Sequence, residues 1–205
     1  MTMYPYILRS LPASRLAYGN FPIPDTDEWI DATDWNTLAE CGGGFHGQSA
    51  EHYGYWHGEA CVLDDWLIQV YEYDPDAGYV GLENKCKVRR MRRRAEGQAA
   101  LDLLGELCGG HWPGSIAVPP GLTLPLASVG GNCWLHTRAS APVLASVGRS
   151  CTLYHMAAAP ALTIVGGNCW VYSVATVTAL AIVGMDCTLH ARTTAPALVK
   201  VGRDC

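Results

Sequence analysis

Aliphatic residues in the C-terminal half recur every 18 positions, and cysteine marks the phase: Cys133, Cys151, Cys169, Cys187 and Cys205. Two positions after each of the first four comes Leu135, Leu153, Val171 or Leu189, and eight after comes Ala141, Ala159, Val177 or Ala195. Eleven after stands Leu144, Leu162, Leu180 or Leu198, and fourteen after stands Val147, Val165, Val183 or Val201. Glycine follows each of those valines, at Gly148, Gly166, Gly184 and Gly202, and Val129-Gly130 repeats the pair one coil earlier. A unit this short cannot enclose a core by itself and must stack on its neighbours, so that the aliphatic columns become one continuous interior. The pattern predicts a β-solenoid (parallel β-helix) of about five 18-residue coils over residues 116–205. Glycine at one fixed phase marks a corner that needs positive φ or close backbone approach.

The preceding segment has no such period. "ACVLDDWLIQVYEYDP" is rich in β-branched and aromatic residues and closes on a Pro turn, and "GYVGLENKCKVRRMRR" reads as a second strand pair. Glu96 to Cys108 then shows helical spacing, with Ala100, Leu103, Leu104 and Leu107 on one face and Gly109-Gly110 as the stop. The expected organisation is an α+β N-terminal domain over 1–95, a capping helix and linker over 96–115, and the solenoid. The helix is placed to cover the first coil.

At 205 residues and 49% hydrophobic, the chain can bury a sizeable core, and no run approaches the roughly 18 apolar residues of a membrane span. Its first residues lack the basic-then-apolar order of a secretory signal, which points to the cytoplasm. Nine cysteines in a strict ladder, odd in number, read as small apolar thiols packed in the core rather than as disulfides. Residues 1–84 carry fourteen acidic side chains against Arg9 and Arg15, while Lys85–Arg94 carries seven basic ones and no acid. That basic run could hold nucleic-acid phosphates. The acidic segment beside it can neutralise it within the fold, and Lys87, Val88 and Arg89 alternate as a strand with a solvated face. Nucleic acid is therefore not the expected partner.

Ligand chemistry concentrates between Cys41 and Cys61, where His46, His52, His57 and Glu59 fall together. Their spacing fits no standard zinc or metalloprotease pattern, so no metal and no cofactor is assigned. An ordinary hydrogen-bonding, glycine-rich aromatic loop is the plain reading, and a transferase-type active site is the sharper one.

"CGGGFHG", the strand "WLIQVYEYDP" and "GLENKCKVRRMRR" resemble an uncharacterised N-terminal domain of phage and prophage proteins, over roughly residues 36–95. The repeats "LPLASVGGNCWL" and "APVLASVGRSCTL" are similar to short, leucine-rich, VGG-containing β-solenoid repeats of bacterial and phage proteins. Division of each coil into three hexads also resembles the hexapeptide repeat of left-handed β-helices, but the constant leucine sits at a hexad position those helices expose, so handedness stays open. The resemblance implies a phage or mobile-element accessory protein, a class that includes inhibitors of host defence such as anti-CRISPR proteins. His46 is the motif residue it singles out.

On a strand with Cys133 and Leu135 inward, Trp134 and His136 face outward. Coil by coil the outward pairs are Trp134/His136, Thr152/Tyr154, Trp170/Tyr172 and Thr188/His190, one aromatic patch suited to a protein partner or, second, to carbohydrate stacking. The last coil carries no cap, which leads to the expectation of a homodimer through the C-terminal coils. The favoured function is non-enzymatic binding of a host protein complex. An acyltransferase is disfavoured because no coil carries an insertion.

Overall fold

The computed structural model describes residues 5–12, 14–17, 21–40, 42–49, 66–83, 85–190, 192–193 and 195–203. His52, His57 and Glu59 lie outside the described residues. Two compact units divide between Leu103 and Leu104.

The first unit is built of antiparallel strands. β1 (Tyr6–Pro12), β2 (Leu16–Ala17), β3 (Phe21–Pro22), β4 (Ile30–Asp31), β5 (Phe45–Gly47), β6 (Trp66–Tyr73), β7 (Tyr79–Gly81), β8 (Cys86–Val88) and β9 (Arg90–Glu96) precede α1 (Gln98–Leu107). They form a four-stranded sheet in the order β1-β6-β9-β4, a three-stranded sheet β5-β8-β7, and the hairpin β2-β3. Ile7, Leu11, Phe45, Tyr71, Val88 and Met91 close the core between them. The expected strand around residues 66–73 is β6, and the expected strand pair after it is β7 with β8, joined in register from Tyr79↔Val88 to Gly81↔Cys86.

The basic run is neutralised inside this unit. Glu72 pairs with Arg92 and Arg94, each at 2.7 Å. Arg93 pairs with Asp25, with Asp27 at 2.9 Å and with Glu96 at 3.3 Å. Arg90 and Arg92 also lie over the Trp29 ring, with guanidinium carbons 5.5 and 4.8 Å from its centroid. Lys87 corrects the solvated-strand reading, for it is fully buried. Its ammonium donates to Asn36 Oδ1 at 2.8 Å and to the Gly42 carbonyl at 3.0 Å, which supplies acceptors that a buried lysine requires.

α1 spans Gln98–Leu107 and ends as its sequence demands. Gly109 takes φ 58° and donates to the Glu106 carbonyl, while the Gly110 N–H reaches the Gly105 carbonyl at 2.9 Å. That bond pair is a Schellman cap, open to glycine because the C′ residue must be left-handed. The buried stripe is Ala100, Leu101 and Leu104, a quarter turn from the expected one, leaving Leu103 and Leu107 half-buried.

In the second unit each coil contributes two short strands. They are β10 (His111–Trp112) and β11 (Ile116–Val118), then β12 (Ser128–Val129) and β13 (Cys133–Leu135), then β14 (Ser146–Val147) and β15 (Cys151–Leu153). β16 (Ile164–Val165), β17 (Cys169–Val171), β18 (Ile182–Val183), β19 (Cys187–Leu189) and β20 (Lys200–Val201) complete them. The even series forms one parallel sheet of six strands and the odd series another of five. Single bridges Thr123–Ser140, Ser140–Ala158 and Ala158–Thr176 mark a third side. This is a β-solenoid of about five coils. Its stacked strands begin at His111, and the first coil has 17 residues, since His111 pairs with Ser128 and Ile116 with Cys133.

The aliphatic columns fill the interior. Leu135, Leu153, Val171, Ala141, Ala159, Val177, Leu144, Leu162 and Leu180 are all wholly buried. The leucine at the nominally exposed hexad position is therefore core. Cys133, Cys151, Cys169 and Cys187 are buried free thiols in one register column. A hydrogen bond with Cys133, together with burial, pushes the Cys151 thiol well up. At the corner before each cysteine, Asn132 Oδ1 accepts the Ser150 N–H at 3.0 Å and Asn168 Oδ1 accepts the Asp186 N–H at 3.3 Å.

The glycine after each valine resolves as close approach, without positive φ. A Cβ on Gly148 would lie 2.3 Å from the Gly130 carbonyl oxygen, and one on Gly166 would lie 2.2 Å from that of Gly148. Positive φ occurs instead five residues after each cysteine, at Arg138 (61°), Met156 (60°), Val174 (65°) and Arg192 (67°). A β-branched residue is strained there.

Two substitutions separate these constraints. Gly166→Ala has only backbone to push against and should destabilise by about 3 kcal/mol. Val174→Asn relieves left-handed strain at an exposed site and should stabilise by about 1 kcal/mol, raising the melting midpoint by about 2–4 °C. Calorimetry of both variants checks this; a tolerated Gly166→Ala would refute the close-approach account.

Candidate functional site

The outward face of the odd-numbered strands is set by β alternation. Cys133 and Leu135 are buried and Trp134 between them is half-buried, and β17 repeats this with Trp170 between Cys169 and Val171. The ladder pairs Trp134 with Thr152 and Thr152 with Trp170, so the backbone positions of the two tryptophans stand two rungs apart, about 9.6 Å at a rung spacing of about 4.8 Å. Thr152 is 1% exposed between them, whereas Thr188 below Trp170 is exposed.

One residue past each strand runs a second column. His136 and Tyr154 rings stack at 4.7 Å, Tyr154 and Tyr172 at 5.4 Å, and Tyr172 and His190 at 4.5 Å, with interplanar angles of 21°, 4° and 10°. Because the rings stack along the solenoid axis, their faces cover one another and their edges point away from it. Such offset stacks contribute about 0.5–1.5 kcal/mol per pair beyond area burial. All six aromatic residues expected to form a patch are thus brought together in two adjacent columns. The patch is graded in exposure: His136 is 9% exposed, Tyr154 and Tyr172 are half-buried and His190 is exposed.

Cations border it. Arg138 and Arg192, at the left-handed corner two residues past the ring column, are exposed, as is Arg149 two residues before Cys151. Between residues 128 and 203 the one acidic residue is Asp186. The sequence reading missed this border because it weighed charge only over residues 1–94.

His46 lies on β5 in the first unit, half-buried, opposite Lys87 in register. Its Nε2 accepts the Gly42 N–H at 3.3 Å, and its Nδ1 is buried without a partner. Burial first, then the charges of Lys85, Arg9 and Lys87, lowers its pKa to about 4. The ring is therefore neutral at physiological pH. Among the described residues no group of His, Cys, Asp and Glu could hold a metal ion.

The sequence reading also passed over a polar centre in this unit. Arg15, Asp25, Asp27, Arg93, Arg94 and Glu96 line a shallow cleft of about 380 Å³. Glu96 accepts from Arg15 at 2.8 Å and from Gln69 Nε2 at 2.6 Å, and Gln69 Oε1 accepts from Tyr71 at 3.0 Å. Its charges are mutually paired, which accounts for the network as structural.

The histidine sets a pH response. Between about pH 4 and 6.5 the unfolded chain binds a proton that folded His46 refuses, so its contribution is complete above 6.5 and is lost as pH falls through that window. For a half-buried group the loss is on the order of 1–2 kcal/mol after solvent screening. Urea unfolding at pH 7.5 and pH 4.5 should show a smaller difference for His46→Gln than for wild type; equal differences would rule His46 out. No family model, curated protein or solved structure matches this chain.

Proposed function

We propose that the chain is a non-enzymatic binding protein whose solenoid holds a protein partner on the face formed by Trp134, Trp170, Tyr154, Tyr172, His136 and His190. The observation that carries this reading is the pair of adjacent aromatic columns. In one of them, His136, Tyr154, Tyr172 and His190 are fixed by rung stacking at 4.5–5.4 Å before any partner arrives. Aromatic side chains held in place lose little conformational freedom on binding, and Trp and Tyr with Arg dominate the energetics of protein interfaces. Core packing does not require them, since Thr152 and Thr188 occupy the same register position in alternate coils.

The resemblance of residues 36–95 to phage and prophage domains directs the partner toward a bacterial host complex, with inhibition of a host defence system as the specific form. No helix among the described residues is long and apolar enough to cross a membrane.

Trp134→Thr/Trp170→Thr tests this, because threonine already stands at that position and the fold should survive. In a pull-down from bacterial lysate, a protein held by wild type should drop at least tenfold with the variant. Equal recovery of every captured protein with both baits would reject the aromatic face as the binding surface.

A further inference from the structure

The face has a repeat and a charge that specify its occupant, and this inference rests on the binding role proposed above. We propose that it takes a proline-rich segment in the polyproline II conformation, flanked by acidic residues. Polyproline II has three residues per turn and a rise of about 3.1 Å, so residues i and i+3 share a face about 9.3 Å apart. Trp134 and Trp170 stand two rungs apart, about 9.6 Å. One turn of such a helix laid along the solenoid axis therefore matches the repeat at which the two tryptophans leave the sheet.

Polyproline II makes no internal hydrogen bonds, and its carbonyls need donors from the surface that binds it. The ring column beside the tryptophans carries such groups, the Tyr172 hydroxyl and the His190 ring nitrogens on successive rungs, with Tyr172 half-buried and His190 exposed. Aromatic-lined grooves with hydroxyl and indole donors are the recurring way of holding proline-rich segments. Exposed Arg138, Arg149 and Arg192 at the borders, against Asp186 as the one acid between residues 128 and 203, supply the complement for aspartate or glutamate beside the prolines.

Fluorescence anisotropy of a labelled 12-residue probe, two acidic residues, eight prolines and two acidic residues, titrated with the full chain, tests this. The expected result is saturable binding, at least tenfold weaker with Trp134→Thr/Trp170→Thr and at least fivefold weaker with Arg192→Glu. Binding should also weaken at least tenfold when lysines replace the flanking acids or when glycine-serine replaces the prolines. Circular dichroism of each variant confirms folding. Equal binding of the glycine-serine probe would show a charge effect alone and overturn the polyproline assignment. So would no binding of the proline probe, or tighter binding of single-stranded DNA or a sulfated oligosaccharide. Either result leaves the lysate pull-down to judge the protein-binding role by itself, since a partner lost with the tryptophans but free of proline-rich acidic sequence would uphold that role and reject this occupant.

Discussion

Everything in the solenoid depends on equivalent residues lying one rung apart, and the glycine corner is where that spacing is tightest. A Cβ on Gly148, Gly166 or Gly184 would lie 2.1–2.3 Å from a carbonyl oxygen of the coil before, so no side chain fits between successive corners. The backbone there is in contact with itself, coil on coil. Once that distance is fixed, the valine before each glycine, the cysteine three residues beyond it and the leucine after that must fall into columns. The columns are the core.

How much of this was legible follows from what each position must exclude. Cysteine, leucine and valine announce themselves because only compact apolar side chains fill a closed interior, and glycine because nothing larger fits the corner. The left-handed corner was invisible, since arginine, methionine and valine alternate at it without a common chemistry and none is the residue that conformation favours. The corner is enforced by its neighbours in the coil, at a local cost that packing on either side offsets. The first coil was partly hidden for a related reason. With 17 residues, and with Trp112 and Ile116 where later coils have valine and cysteine, it keeps the stacking but breaks the period.

In the first unit, polarity misled more than periodicity did. Lys87 sits in a strand whose three residues are all buried, because Asn36 and the Gly42 carbonyl come from a distant turn to meet its ammonium. No local pattern carries that information. The pairing of Glu72, Asp25, Asp27 and Glu96 with the arginines of β9 was legible only as a balance of charge, not as partners. The histidine was noticed for its motif, but its chemical state is set first by burial and then by three cations that the fold gathers around it.

The outward face differs in kind from both. A solenoid forces identical positions to align, whatever occupies them, so any side chain the core does not need becomes part of an ordered column. Alternation of Trp and Thr along one such column satisfies no requirement of packing, since Thr152 and Thr188 show that the smaller residue suffices. The lattice fixes where the rings stand and the sequence decides which rungs carry them. A regular spacing of large aromatic groups is then a property available for recognition, because the rigid backbone that sets it has already been ordered by folding and gives up no further entropy when something is bound.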